Sequence, residues 1–212
     1  MRLRTVLFDL DGTLVDHFAA IERAHVHTMR EMGLPAPTGA QVRAAVGGGL
    51  ELAIARLVGA ERVAEALRIY RPYWDATMLD DVKLLPGARE LLTALREAGA
   101  RTAIFTNKHG PSSRRVCEHL GIAHLLDGNF GATDTPWLKP APEFAAHVLR
   151  ALGAEAATTA LVGDSPFDFA AAQNAGLKFY AVTTGTHTAK EMRAAGATEI
   201  LPNLAAVGRA MR

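Results

Sequence analysis

Residues 8–14 read Phe-Asp-Leu-Asp-Gly-Thr-Leu, so Asp9 and Asp11 stand two apart at the end of an apolar run and just ahead of a glycine. On a strand, residues i and i+2 face the same side. At the C-terminal end of a strand such a pair brings two carboxylates near one point, where a divalent metal, a nucleophile or an acid–base pair could operate. An ordinary strand-to-turn junction, where Asp-Gly is common, is the alternative without chemistry. Three further clusters lie far away in the chain. Thr106-Asn107-Lys108 follows the apolar run Thr102-Ala-Ile-Phe, so a hydroxyl there either donates to a phosphate oxygen or simply ends its strand. In Leu138-Lys139-Pro140-Ala-Pro142 a lysine braced by a proline opens a helix, as a fixed positive charge or as a solvated surface residue. In Val162-Gly163-Asp164-Ser165-Pro166-Phe167-Asp168 two acids, four apart, follow another short apolar run; a capped helix start is the bland reading.

Elements that could position these groups follow from the hydrophobic pattern. Thr5–Leu10, Thr102–Thr106, Ala160–Val162 and Phe179–Val182 are short, apolar and rich in branched residues, as expected of parallel strands covered on both faces. Between them Leu91, Leu92, Leu95 and Ala98 follow a helical period closed by Gly99, and Phe144, Val148, Leu149 and Leu152 do the same ahead of Gly153, with Pro142 suited to a first helical turn. Alternating strands and helices predict an α/β fold with a doubly wound, Rossmann-like parallel sheet. Residues 16–82 break the rhythm: Leu52, Ile54, Leu57 and Val58, then Val63, Leu67, Ile69 and Tyr70, recur at helical spacing, and Pro86-Gly87 marks a return to the sheet. The expected organisation is a core of residues 1–15 and 83–212 with a helical cap, residues 16–82, inserted after the first strand.

The chain has 212 residues, 49% of them hydrophobic, which suits one sizeable core plus an insertion. A net charge of +1 supplies no strong field for nucleic acid or membrane, and no apolar run approaches the ~20 residues a transmembrane helix needs. The single cysteine, Cys117, rules out an internal disulfide framework, lies in a helical stretch as a packing residue, and fits a cytoplasmic protein. Met1 to Thr5 runs straight into the first strand and does not resemble a removable signal peptide. No feature of the sequence specifies an oligomer.

In open α/β sheets ligands bind beyond the carboxyl ends of the strands, and all four clusters fall there. Together they supply acids for a hard cation, an oxygen nucleophile, a hydroxyl donor and a fixed positive charge, the inventory needed for attack on a phosphoryl group. Asp9-x-Asp11-Gly-Thr13, Thr106, Lys139 and Gly163-Asp164-x3-Asp168 together resemble the four motifs of the haloacid dehalogenase-like phosphohydrolases, in particular capped members similar to phosphoglycolate phosphatases. The resemblance covers nearly the whole chain, and Gly176 to Ala197, with Thr183-Thr-Gly185 and Ala195-Gly-Ala197, also looks like the end of such phosphatases.

That resemblance implies an Mg²⁺-dependent phosphatase acting on a small phosphate ester. It assigns Asp9 as nucleophile and metal ligand. Asp11 becomes the acid and then the base, with its backbone carbonyl on the metal. Thr106 and Lys139 hold the phosphoryl group, and Asp164 is a direct metal ligand. Asp168 becomes a ligand through water or a partner of Lys139. Backbone N–H groups of Asn107 and Leu10 complete the phosphate cradle. A protonated Asp11 at neutral pH implies a raised pKa.

Substrate choice falls to the cap. The loop Val46-Gly47-Gly48-Gly49-Leu50 could let the backbone approach a ligand, with Gly48 at its centre, or serve as a hinge. Arg43 could meet a substrate carboxylate or stay on the surface, and His17 could reach substrate or be a linker residue. His25 and His27 are taken as helix-surface residues, and Tyr70, Tyr73, Trp74 and Trp137 as packing. Among rivals, a dehalogenase gains nothing from Asp11. A sugar-phosphate mutase shares all four motifs but calls for a cap histidine near Ile21. A non-catalytic phosphate-binding member would be expected to lack an acid or the lysine, and none is missing.

Overall fold

The computed structural model describes residues 3–211; Met1, Arg2 and Arg212, assigned above to the core, lie outside the described residues. The chain runs β1 (Thr5–Phe8), β2 (Val15–Asp16), α1 (Phe18–Glu31), α2 (Gly39–Ala45), α3 (Leu50–Val58), α4 (Val63–Thr77), β3 (Lys83–Leu84), α5 (Ala88–Glu97), β4 (Arg101–His109) and α6 (Gly110–His119). It continues through β5 (Gly128–Ala132), α7 (Pro142–Leu152), β6 (Thr159–Gly163), α8 (Pro166–Asn174), β7 (Lys178–Val182), α9 (Ala189–Ala195), β8 (Ile200–Leu201) and α10 (Leu204–Ala210).

Six strands form one parallel sheet in the order β5-β4-β1-β6-β7-β8. The order reverses at β1, which pairs with β4 through Phe8↔Ile104 and with β6 through Phe8↔Val162. Each strand's period of two splits its apolar residues between two cores. Val6 and Phe8 pack with Ile104 and Val162 under α5, α6 and α10, and Leu7 packs with Phe105 and Leu161 under α7 and α8. Cys117 of α6 is buried in the first of these cores. With both faces covered, every central strand must be apolar throughout, which explains the runs seen in the sequence.

The pattern was least legible at the edges. β5, with two glycines in Gly-Asn-Phe-Gly-Ala, and the two-residue β8 close the sheet without an apolar run to announce them. Predicted β1 ends early, at Phe8, and predicted β4 is longer than expected, reaching His109 with a register irregularity between Phe105 and His109. Helices α5 and α7 match their predicted periods, and Gly99 and Gly153 have positive φ after their ends.

The helical block α1–α4 leaves and rejoins the sheet through a short antiparallel ribbon, β2 with β3. It encloses its own apolar cluster, including Ile21, Ile54, Tyr70, Trp74 and Met78. Among the described residues no helix is long and apolar enough to cross a membrane.

Candidate active site

Asp9 and Asp11 lie past the end of β1, not on it, so the strand pleat is not what brings them together. A tight turn does this instead. The Leu10 carbonyl accepts from the amides of Thr13, Leu14 and Val15, Gly12 sits at φ 84°, and Asp11 bridges to Val15. The positive φ at Gly12 favours glycine there. The amide of Asp9 donates to Val162 of β6, which locks the first residue after the strand to the neighbouring one.

Lys139 is the centre of the charge network. Its buried ammonium donates to Asp9 Oδ1 at 2.8 Å, Asp168 Oδ1 at 2.6 Å and the Phe105 carbonyl at 2.8 Å. The loop that carries it is tied to β4 by Asn107, whose Oδ1 accepts from the Lys139 amide at 2.7 Å and whose Nδ2 donates to the Lys139 carbonyl at 3.0 Å. The same Nδ2 donates to the Gly47 carbonyl at 3.1 Å, joining the helical block to the sheet. Asn107 therefore acts through its side chain, whereas the sequence suggested only its backbone. Burial opposes the charge on Lys139, but Asp168 and Asp9 outweigh it and raise its pKa.

Carboxylate oxygens of Asp9, Asp164 and Asp168 lie within 4.8 Å of one another. Three acids at that distance are a hard, all-oxygen donor set suited to Mg²⁺. Burial, followed by the charges of Asp9 and Asp168, pushes Asp164 up to about 7. Burial also pushes Asp9 up to about 6 although Lys139 opposes it. One ammonium thus leaves the cluster under-neutralised, as a cation site requires. Asp164 is held by Thr13 Oγ1 at 3.2 Å and by the amide and hydroxyl of Thr186 at 2.8 and 3.0 Å. A Cβ at Gly12 or Gly185 would run into its carboxylate, so both glycines keep this corner open. Asp168 differs from the other two: Lys139 holds Oδ1, and the amide and hydroxyl of Ser165 hold Oδ2 at 3.0 and 2.6 Å, in a capping box that starts α8. Its oxygens are therefore committed to positioning Lys139 and the helix.

Asp11 corrects an expectation. Burial favours its neutral form, but Lys108 Nζ at 2.7 Å and His17 Nδ1 at 3.1 Å outweigh burial and hold its carboxyl well below the usual carboxylate range. The other nitrogen of His17, Nε2, lies 2.6 Å from the Met78 carbonyl. Both ring nitrogens thus face oxygens, so the Asp11–His17 pair must hold a proton on each of the two contacts. His17 is buried and braces Asp11 against the helical block, so it is a positioning residue in this arrangement. Lys108, a neighbour of Thr106 in sequence, lies with its ammonium 4.5 Å from the Trp74 ring centroid. Thr106 is buried within β4, not at its end, and its hydroxyl accepts from the Lys108 amide at 3.2 Å.

Between these groups and the helical block lies a cavity of about 150 Å³. Asp9, Asp11, Thr106, Asn107, Lys108 and Asp164 form its floor, and Phe18, Ile21, His25, Leu50, Tyr70 and Trp74 are among the residues of its roof. Gly47 and Gly49 line it, whereas Gly48 faces Leu52 and Phe167. Arg43 is not in the wall: it is exposed on α2, with its guanidinium 4.1 Å from the Phe18 ring centroid. His25 is not on the surface, as expected from sequence, but 2% exposed and in the cavity wall. His27 stacks on Tyr73 at 3.9 Å, and Trp137 packs on the second core as expected. Thr13 and Lys108 could have been suspected from their adjacency to Asp11 and Thr106. Thr186 and His25 carry no local signal.

The family description “Haloacid dehalogenase-like hydrolase” matches residues 6–182. “Probable phosphatase IndB” of Dickeya dadantii is 35% identical over 196 residues, covering 90% of this chain and 85% of its own length. A phosphoglycolate phosphatase of Vibrio cholerae is 32% identical over 193 residues, covering 86% and 85%. Among solved structures, a haloacid dehalogenase-like hydrolase from Streptococcus pneumoniae superposes with a TM-score of 0.90 at 26% identity, over 99% of each chain. CbbY from Rhodobacter sphaeroides, solved with phosphate, does so at 0.82 and 24% identity over 97% and 96%, a likeness of fold alone. With its sheet order, its four sequence clusters gathered at one site and a match spanning most of its length, this chain belongs to the haloacid dehalogenase-like hydrolase family.

Proposed function

We propose that this chain is an Mg²⁺-dependent phosphatase that hydrolyses a small phosphorylated metabolite through an aspartyl-phosphate on Asp9. The observation that carries this reading is the buried ammonium of Lys139 shared by Asp9 and Asp168, with Asp9 and Asp164 in the floor of a cavity above it. The similarity to proteins named phosphatase and phosphoglycolate phosphatase supports the same reaction class.

An Asp9 oxygen attacks phosphorus in line, the bond from phosphorus to the leaving oxygen breaks, and that oxygen takes a proton from the Asp11–His17 pair. Water then attacks phosphorus, giving a proton to Asp11, while the bond from phosphorus to the Asp9 oxygen breaks, which releases inorganic phosphate and restores the Asp9 carboxylate. Lys139 offsets the repulsion between Asp9 and the phosphate dianion, and Thr106 donates to a phosphoryl oxygen. Asp9 and Asp164 would hold the cation, with Asp168 behind Lys139; when bound, it neutralises phosphoryl charge that one ammonium leaves uncompensated. In the arrangement described, Lys108 keeps Asp11 ionised, which suits the base step. A phosphate dianion competing for Lys108 frees Asp11 for the acid step.

Residues 16–82 act as a cap that excludes water and selects the leaving group. Their own apolar cluster and the Asn107–Gly47 bond support this role. The test is phosphate release from a panel of small phosphomonoesters, with and without Mg²⁺, for wild type and Asp9→Asn. Activity requiring both the metal and Asp9 is expected, and turnover persisting in Asp9→Asn overturns the covalent route.

A further inference from the structure

The roof of the cavity contains two polar groups that the chemistry above does not use. His25 on α1 is 2% exposed and Tyr70 on α4 is 4% exposed, and both line the cavity with ring centroids 4.9 Å apart. Among the described residues neither side chain has a hydrogen-bond partner, yet no side-chain polar atom is sealed away without one. Their polar atoms therefore keep some exposure, and both residues line the cavity. A buried polar group left without a partner is costly, and a site built around such groups favours a ligand that satisfies them.

Charge in the same roof points the same way. Each cation in or near the wall already has a partner. Lys108 pairs with Asp11 at 2.7 Å, Arg71 pairs with Glu51 at 3.1 Å, and Arg43 sits outside over Phe18. An acid, Asp75, lines the wall and is 3.6 Å from Arg115. Burial lowers the pKa of His25 to about 4, so the imidazole is neutral at pH 7, one nitrogen donating and the other accepting. Apolar and aromatic surface from Phe18, Ile21, Tyr70 and Trp74 makes up much of the remainder. A carboxylate entering this space would lose its hydration beside an acid and have to compete with the phosphate, Asp11 and Glu51 for cations already engaged. Hydroxyls on a carbon skeleton would find two hydrogen-bonding groups and ring faces to pack on.

We propose that the leaving group is a neutral, hydroxyl-bearing alcohol, a polyol or sugar, hydrogen-bonded by His25 and Tyr70 against Trp74, and that esters carrying a carboxylate near the phosphate are discriminated against. This deepens the phosphatase reading and rests on it. At about 150 Å³ the cavity is smaller than the several hundred Å³ typical of sites for drug-sized ligands, which limits the leaving group to a compact one.

The experiment compares kcat/KM for glycerol 3-phosphate, ribose 5-phosphate, glucose 6-phosphate, 2-phosphoglycolate and phenyl phosphate in wild type, Tyr70→Phe and His25→Phe. At least one polyol or sugar phosphate should exceed 2-phosphoglycolate by about tenfold or more in wild type. In each variant the ratio of kcat/KM for that ester to kcat/KM for phenyl phosphate should fall about tenfold, the effect of one hydrogen bond to a buried partner. Tyr70→Phe removes one oxygen and keeps the ring, so it probes the contact even where His25→Phe unfolds. A preference for 2-phosphoglycolate, or ratios that do not move in Tyr70→Phe, overturns the inference. Failure of the phosphatase reading is distinct: wild type then releases phosphate from no ester. Calorimetric binding of the same esters to wild type decides the inference in that case. Tighter binding of a polyol or sugar phosphate upholds it; tighter binding of 2-phosphoglycolate, or no binding of any polyol or sugar ester, overturns it.

Discussion

Replacing Lys139 by methionine tests the charge network directly. Methionine keeps the length and apolar stem of the side chain but removes the ammonium that donates to Asp9, Asp168 and the Phe105 carbonyl. Asp168 is fully buried, with only Ser165 among the described residues left to bond its carboxylate, and Asp9 and Asp164 remain close by. Breaking a buried pair by removing one partner costs about 3–5 kcal/mol, because the surviving charge is left uncompensated. For a chain of this size each kcal/mol lowers the thermal midpoint by about 2–4 °C, so the expected loss is about 6–20 °C. The assay is thermal unfolding followed by circular dichroism near neutral pH in EDTA. Two companion measurements fix the cause. Adding Asp168→Asn to Lys139→Met should recover part of the loss, giving a double variant less destabilised than the sum of the singles. Adding Mg²⁺ should narrow the gap, since a cation in the cluster replaces some of the missing positive charge. A midpoint within about 3 °C of wild type in EDTA, or strictly additive losses, refutes the view that one ammonium holds these acids together.

Two further outcomes follow from the same geometry. Because Asp164 is raised to about 7 and Asp9 to about 6, both carry protons over part of the range in which free aspartate would be ionised, and a cation must displace them. Mg²⁺ affinity should therefore weaken as pH falls through 7 and 6 and level off above, with protons released on binding. Calorimetry in buffers of different ionisation enthalpy reads both, and an affinity constant from about pH 5.5 to 8 contradicts it. If His17 serves the proton-transfer step through Asp11, His17→Asn should lower kcat about tenfold for alkyl phosphates and far less for p-nitrophenyl phosphate, whose anion leaves without a proton. An equal loss on both would make His17 a structural brace only.

The central strands and the four chemical clusters were legible in the sequence because both are local. A strand buried on two faces must be apolar at every position, and the reactive residues lie next to those runs at fixed spacing. Edge elements were not legible: β5 and β8 are short, partly exposed and glycine-bearing or minimal, so burial imposes no pattern on them. For the same reason Gly48 and Arg43 looked plausible as substrate contacts, while the fold turns one toward Phe167 and leaves the other on the surface above Phe18.

By itself, then, the sequence determined the reaction class, since Asp, Asp, Thr, Lys and Asp in motifs close to the apolar runs supply the groups that phosphoryl transfer needs. The tertiary structure decided the charge state of Asp11 and which side chains line the cavity. Asp11 is held ionised by Lys108, 97 positions away, and by His17, which is braced on Met78. His25 and Tyr70, on α1 and α4 of the helical block, meet only when those two helices pack against each other. A pKa and a binding surface are sums over neighbours in space, and spacing along a chain does not record them.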